Sequence, residues 1–340
     1  MAGESAPEYA YQQNGAAVSQ PGNEEFVRRT ETFRRELLAH CYRMIGSVSD
    51  AEDVVQETYL RAWRSYDRFQ DRSSIRTWLY RIATNTCLTA LRNRGRRALP
   101  SGLGAPSDDP YEPTELAGPQ VSWLQPIPDA LLNPDPADVV VSRDSIRLAL
   151  IASLQYLPPR QRAVLLLRDV LAWSAAEVAE ALDTTTTAVK STLQRARARL
   201  DEVAPAPDTV AEPTAPQARA LLDAYMAAFE NSDAAALEKL LRADSTLEMT
   251  PSRTWFAGLR TCMPFFVASA LGAPGDWRMV PTSANGQPAA AAYQRGTDGA
   301  YRAFGVAVLT LSSTHIARIT LFIDPDLVVA FGEPPVFEAS

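Results

Sequence analysis

At 340 residues, with 46% hydrophobic and 21% charged residues, the chain is too long for one ordinary compact core, and its 25 prolines suggest linkers between two or three globular domains. Cys41, Cys87 and Cys262 are scattered without CxxC spacing, and His40 and His315 are the only histidines; this argues against a disulfide framework or a metal centre and for a reducing, cytoplasmic setting. The formal net charge of -7 must be read by segment, because the arginines are concentrated in parts of the chain.

The opening MAGESAPEYAYQQNG lacks the basic and apolar regions of a signal peptide, and no apolar run is long enough to span a bilayer. Residues 1–28 are polar and punctuated by Gly and Pro, which predicts a disordered tail. In SDAEDVVQETYLRAWRSYDRF, Val54, Val55, Tyr59, Ala62, Trp63 and Tyr66 recur at helical spacing and predict a buried face. Asp53, Gln56, Glu57 and Leu60 form the other face: either a solvated acidic surface or, because a leucine sits among the acids, a docking face for a basic partner. A polar loop from Asp67 to Arg76 follows.

The stretch TWLYRIATNTCLTALRNRGRR, residues 77–97, opens on Trp78 and Tyr80 and closes on Arg92, Arg94, Arg96 and Arg97. Arg81, Asn85, Thr89 and Arg92 share one helical face, opposite Ile82, Cys87, Leu88 and Leu91. Aromatic rings that stack bases at about 1–3 kcal/mol each, guanidinium groups for phosphates and an amide for a base edge are what single-stranded nucleic acid needs. Trp78 alone reads equally well as core; the arginine run, which would repel itself without a polyanion, does not.

From 98 to 142 there is no Lys or Arg, and Asp108, Asp109, Glu112, Glu115, Asp129, Asp135 and Asp138 lie among prolines. This predicts an acidic linker with at most a short ordered piece at WLQPIPDALL. Beyond Leu157-Pro158-Pro159, Ser174 and Glu177 form a capping box for a short helix with Val178, Ala179 and Leu182 inside. Asp183 sits in the turn, and a Thr among 184–186 caps a longer helix to about Leu200. Val189, Leu193, Ala196 and Leu200 face inward, while Thr187, Lys190, Ser191, Gln194, Arg195 and Arg197 face outward: helix-turn-helix geometry for the major groove. A second Pro-rich linker, 203–216, leads to residues 217–332. There helices come first and strands follow near 245–251, 277–283, 288–294, 301–311 and 315–323, which predicts an α+β cone with a curved antiparallel sheet. Trp255, Phe256, Met263, Phe266, Tyr293 and Phe304 are candidates for a pocket lining, though each taken singly reads more readily as core.

DAEDVVQETYLRAWR and TWLYRIATNTCLTALRNRGRR resemble regions 2.1 to 2.4 of bacterial extracytoplasmic-function sigma factors, and LPPRQRAVLLLRDVLAWSAAEVAEALDTTTTAVKSTLQRARARL resembles their region 4. The third unit resembles a SnoaL-like (NTF2-like) domain carried by an actinobacterial subgroup. The resemblance implies a multidomain fold: a region 2 helical bundle over 29–98, a region 4 helix-turn-helix over 143–202 and the cone over 217–332. It implies a sigma factor whose partners are core RNA polymerase, through its β′ clamp and β flap, and promoter DNA, with an unidentified small ligand a candidate partner of the cone.

The same resemblance implies site residues. Asp53, Gln56, Glu57 and Leu60 match the clamp-docking surface. Phe69, Arg72, Ser73, Arg76, Trp78, Arg81 and Asn85 match the part that captures flipped bases of the −10 element, with Arg92, Arg96 and Arg97 on adjoining phosphates. Thr185, Thr186, Thr187, Lys190, Ser191, Gln194, Arg195 and Arg197 match the −35-reading helix. The acidic linker would thread a basic channel of the polymerase. Family members usually have Gly where Asp183 stands, a residue that tolerates the left-handed conformation; they often have Arg where Thr192 stands, which leaves the −35 preference open. The sequence predicts no enzyme activity, no cofactor and no metal. Two rival functions are a ligand-responsive helix-turn-helix regulator, which leaves the region-2-like half unexplained, and a SnoaL-type enzyme fused to DNA-binding segments.

Overall fold

A computed structural model describes residues 21–69, 74–92, 94–132, 145–203 and 214–338. The chain opens with α1 (Pro21–Thr30), α2 (Arg34–Ile45), α3 (Val48–Ser65) and α4 (Ile75–Ala90). Helix α1 begins inside the expected disordered tail. Phe26 is buried there, edge-on to Tyr59 and Tyr66 at 6.4 and 5.2 Å, and this burial holds a helix that composition alone did not suggest. Gly46, at φ 75°, ends α2 by donating its N–H to Tyr42 O at 2.7 Å; a Cβ there would lie 2.8 Å from Leu124 Cδ1. Ser47 and Ser74 cap α3 and α4 by accepting from Asp50 N and Thr77 N.

The segment after α4 departs from expectation. The helix stops at Ala90, so the arginines of 92–97 lie beyond it. Strands β1 (Arg97–Ala98) and β2 (Ser122–Trp123) pair in parallel, and the linker is ordered to Leu132. Leu124 and Ile127 are fully buried, and Gln125 N donates to Gly46 O at 3.0 Å. Prolines lower the entropy lost on ordering, and buried aliphatic side chains between the acids supply the favourable term that net charge obscures. Residues 133–142 of the expected linker lie outside the described residues.

Helices α5 (Leu148–Leu154), α6 (Pro159–Leu165), α7 (Ala175–Ala181) and α8 (Thr186–Val203) build the second helical unit. The capping box of Ser174 and Glu177 is present, and Asp183 takes the left-handed turn at φ 48°. Helices α9 (Ala215–Glu230) and α10 (Ala234–Leu240) lead into the C-terminal sheet. Its strands are β3 (Leu241–Thr250), β4 (Trp255–Ala257), β5 (Trp277–Ala284), β6 (Gln287–Arg295), β7 (Tyr301–Leu311) and β8 (Ile316–Phe322). Helix α11 (Leu259–Phe265) follows β4, and α12 (Pro325–Ala330) and β9 (Val336–Phe337) close the chain. The strand order is β4-β3-β8-β7-β6-β5, with β9 on β7. The sheet is mixed and not antiparallel throughout, because β3 pairs with β8 in parallel. Strand periodicity carries no information on the direction of a partner so distant in sequence.

Alternation along β6 and β7 divides their side chains between two faces. Ala290, Ala292, Ala307 and Leu309 face the interior of the cone. Ala289, Ala291, Val306 and Val308 belong to one continuous apolar cluster that also contains the cores of both helical units. The cone is therefore built into the helical body through its outer sheet face. No described helix is long and apolar enough to cross a membrane.

Candidate nucleic-acid interface

Helix α8 presents its polar face to solvent. Thr185, Thr186, Thr187, Lys190, Ser191, Gln194, Arg195 and Arg197 are exposed, while Val189, Leu193 and Ala196 are buried beneath them. The side chain of Thr185 caps the helix by accepting from Ala188 N at 3.1 Å. Among the described residues Arg195 makes only a long 3.4 Å contact, with Thr192 Oγ1. Arg197 is held by a two-bond fork on Asp169, at 2.7 and 3.0 Å. The positive end of the helix and this row of donors suit a duplex groove.

Helix α4 is treated differently. Arg81, Asn85 and Thr89 are exposed along one face, Arg92 is exposed just beyond the helix end, and a cleft of about 450 Å³ lies between Trp78, Arg81, Asn85 and Arg61. Trp78 is half-buried beside Phe69, with ring centroids 4.7 Å apart. Arg72 and Ser73 lie outside the described residues. Asn85 Nδ2 donates to Ala181 O at 3.2 Å, and Arg81 pairs with Glu180 at 3.6 Å. Both partners sit at the C-terminal end of α7, so the second helical unit leans on the exposed polar face of α4.

Several residues expected on the nucleic-acid side have internal roles. Tyr80 is buried, 5.2 Å from the His40 ring and 6.3 Å from Trp173. Arg94 and Arg97 both pair with Asp50, and Arg97 also donates to Trp123 O. Arg96 lies 3.9 Å over the Tyr156 ring. Arg76 forks onto Glu36. The self-repulsion expected of the arginine run is thus offset within the fold, and Arg92 stands exposed just beyond the end of α4.

On α3, Asp53, Gln56 and Leu60 are exposed, and Glu57 is half-exposed in an i,i+4 pair with Arg61. Trp63 was expected in the core but is 52% exposed. With Phe26, Val27, Gln56, Tyr59 and Leu60 it lines an open groove. The helical pattern placed Trp63 next to Ala62 and Tyr59; the boundary of an apolar stripe cannot be fixed from spacing alone.

One seam joins the units. Arg162 of α6 is buried and donates to Met44 O, to Gln155 Oε1 at 2.8 Å and to Leu157 O at 3.2 Å; burial lowers its pKa to about 10. At the tip of the β5–β6 hairpin, Asn285 is fully buried at φ 57°. Its Oδ1 accepts from Ile127 N at 3.0 Å, and its Nδ2 donates to Tyr42 Oη at 2.9 Å and Ile146 O at 2.7 Å. One side chain of the cone therefore ties together α2, the linker and the segment that enters α5. Asn285-Gly286 between two strands is a strong hairpin signal in sequence. Its burial against other units has no local signature.

The cone encloses a cavity of about 590 Å³. Phe266 and Phe304 of the expected lining are in its wall, whereas Trp255, Phe256, Met263 and Tyr293 are not. Trp255 Nε1 donates to Gly104 O at 3.0 Å in the linker. Phe256 packs against Phe265 within the core, and Tyr293 turns outward to donate to Pro334 O at 2.8 Å. The strand parity that sends Tyr293 out brings Ala292 in.

A helical bundle and a helix-turn-helix, joined in this order and each carrying an exposed polar-basic helix, define a promoter-recognition protein of the sigma-70 type. Residues 30–97 match the family model for Sigma-70 region 2, and residues 147–200 match that for Sigma-70, region 4. The ECF RNA polymerase sigma factor SigG of Mycobacterium tuberculosis H37Rv is 50% identical over 314 residues, 91% of this chain and 84% of that one. SigJ of the same strain is 32% identical over 220 residues, 65% of this chain and 63% of that one. The crystal structure of the M. tuberculosis extracytoplasmic function sigma factor SigJ superposes with a TM-score of 0.57 at 25% identity, covering 91% of this chain and 99% of that one. The chain belongs to the extracytoplasmic-function sigma factors of RNA polymerase, with a C-terminal α+β cone of the SnoaL-like kind. Its function is that of a sigma factor, and its partners are RNA polymerase core and promoter DNA.

Proposed function

We propose that this structure is the closed, promoter-incompetent state of the sigma factor and that the cone controls it in cis. The observation that carries this reading is the seating of Ala181 and Glu180 on Asn85 and Arg81. Elements centred at −10 and −35 are separated by about 25 base pairs, or about 85 Å at ~3.4 Å per base pair. Two units in hydrogen-bond contact cannot span that distance, so promoter engagement requires them to part. Arg162 and Asn285 hold them together until then.

In the open state, the units over 29–98 and 143–202 take the roles that the family pattern gives them. Asp53, Gln56, Glu57 and Leu60 dock on the β′ clamp, extended by the neighbouring Trp63 and Val27. Phe69, Trp78, Arg81 and Asn85 capture −10 bases, with Arg92 on phosphate. The exposed face of α8 reads the −35 element while the second unit contacts the β flap. The cone, over 217–332, acts by binding and not by turnover. The acidic stretch from 98 leaves its present seat for the polymerase channel.

Reconstituted transcription with core polymerase tests the assignments. Replacing Asp53 and Glu57 together with Arg should weaken core binding by about 100-fold or more, since like charges then face each other across an interface and cost several kcal/mol. Folding should be little affected, because exposed pairs such as Glu57–Arg61 contribute at most about 1 kcal/mol. Asn85→Ala should slow promoter opening, and Arg195→Ala should weaken closed-complex formation on duplex. Wild-type core affinity in the double variant would sink the clamp assignment.

A further inference from the structure

The cone cavity is far larger than a packing defect. Protein interiors rarely leave voids larger than a water molecule, and a cavity of about 150 Å³ already admits benzene. At about 590 Å³ this one lies in the range of small-molecule sites and would hold roughly 20–25 non-hydrogen atoms by scaling from benzene. Its depth is aromatic. Phe229 meets Phe266 and Trp277 edge-on at 5.8 and 6.5 Å, and Trp277 meets Phe304 edge-on at 5.0 Å. Among the described residues no Lys, Arg or His lines it, and the one acidic residue, Glu112, sits on an exposed strap at the mouth. Tyr225 lines the cavity at 2% exposure, and its hydroxyl makes no hydrogen bond within the described residues.

The sigma linker supplies part of the mouth, beside the exposed cone residues Pro251, Ser269 and Gln294. The strap is pinned at Ser107, whose N–H donates to Trp255 O at 2.8 Å, and at Ala117, whose N–H donates to Pro251 O at 3.0 Å. Tyr111, Glu112, Pro113, Thr114 and Leu116 arch between these pins and line the opening. Tyr111 and Leu116 are 72% and 69% exposed, two large apolar side chains on the rim of an apolar cavity. A little further along the same segment, Leu124 and Ile127 are buried in the seam between the helical units.

We propose that the cavity binds an uncharged, largely aromatic or polycyclic small molecule carrying a hydroxyl or carbonyl oxygen, with the linker strap 108–116 as its lid. Tyr225 supplies the hydrogen bond. An occupant buries Tyr111 and Leu116 and holds the strap down, and because the strap continues into the seam, occupancy biases opening of the sigma units. Binding at the site stands independently of the closed-state reading; its effect on transcription rests on that reading.

The test uses the full chain and N-phenyl-1-naphthylamine, an uncharged apolar fluorophore with one N–H donor. Saturable fluorescence at one probe per chain is expected. Ala307→Phe, which fills the cavity from its sheet wall, should weaken binding by about tenfold or more. Tyr225→Phe removes a single oxygen, is safe for folding, and should weaken it about threefold to tenfold. Bound probe should slow cleavage of the Glu115–Leu116 bond by a glutamyl endopeptidase, read by mass spectrometry. Non-saturable fluorescence, or affinity unchanged by both substitutions, overturns the site; cleavage unchanged at saturating probe overturns the lid. Saturable binding and protection with no change in reconstituted transcription would uphold the site and overturn control of the sigma units by the cone.

Discussion

Helices α4 and α8 carry similar chemistry, an apolar inner face beneath exposed arginine, amide and hydroxyl groups, yet the fold treats them in opposite ways. The face of α8 is open along its length. The face of α4 is partly covered, with Asn85 and Arg81 engaged by the end of α7. Because α7 and α8 belong to one helix-turn-helix, the unit that covers the polar face of α4 keeps its own polar face on α8 free. On the proposed closed-state reading, the chain would meet duplex DNA or the polymerase before it captures unpaired bases. Selectivity of this kind needs a latch that is strong at the seam and weak at the reading face, and the contacts have that distribution: a buried side chain with three partners at Asn285, and a 3.6 Å exposed ion pair at Arg81.

Removing the strong contact should break the difference between the two helices. Asn285→Gly keeps the left-handed backbone and deletes the amide. Three hydrogen bonds at about 1 kcal/mol each place the expected loss near 3 kcal/mol. The earliest transition in chemical denaturation should shift by that amount. Binding of the full chain to a single-stranded −10 oligonucleotide should strengthen severalfold, while affinity for a −35 duplex stays unchanged. A variant with unaltered stability and unaltered single-strand binding would show that the seam is not the latch.

The elements behind this comparison were unequally legible in the sequence. The helix-turn-helix was readable in detail, because Ser174, Glu177, Asp183 and Thr185 act on backbone groups within a few residues of themselves. Five strands of the cone were read near their observed places, whereas the short β4 and β9 and the mixed order were not. The site residues on α8 stand on the exposed face that the pattern assigned to them. On α4 the pattern found the exposed row but could not show that Ala181 and Glu180, 96 residues on for the former, would lie against it. Arg94 and Arg97 looked unpaired because Asp50, which pairs with both, precedes them by more than 40 residues. The ordered linker was hidden by its own composition: seven acids drew the eye, and Leu124 and Ile127 decided the structure.

Acid should loosen α4 from the inside. His40 lies beneath it, fully buried, with Nε2 2.9 Å from Thr84 Oγ1, and burial, helped by Arg43, lowers its pKa from 6.5 to about 3. A histidine with a depressed folded pKa stabilises the fold above its unfolded pKa and withdraws that stability as pH falls. Between pH 6.5 and about 3, each unit should cost about 1.4 kcal/mol. The cleanest window is pH 6.5 to 5, before most carboxylates titrate; His315, the other histidine, has no such burial. Denaturation curves at half-unit steps should show this slope in the wild type and lose it in His40→Gln. An equal slope in both would assign the acid sensitivity elsewhere.

The smallest effect is expected at the reading face itself. The Arg81–Glu180 pair spans 3.6 Å, with side chains 50% and 79% exposed, so water and salt screen it and its contribution is at most about 1 kcal/mol. Glu180→Lys replaces attraction by repulsion without touching Arg81, Asn85 or any buried group. Global stability should therefore change by no more than about 0.5 kcal/mol. The cover over the −10 reader should nonetheless lift more often, because repulsion acts where the two units meet. Affinity of the full chain for a single-stranded −10 oligonucleotide should rise about twofold to fivefold at low ionic strength, and the gain should fade as salt approaches 0.5 M, where screening removes the repulsion along with the attraction. The substituted lysine also adds positive charge near DNA, so the −35 duplex serves as the control: a rise of equal size there would mean charge alone, whereas a rise confined to the single strand means the cover has moved.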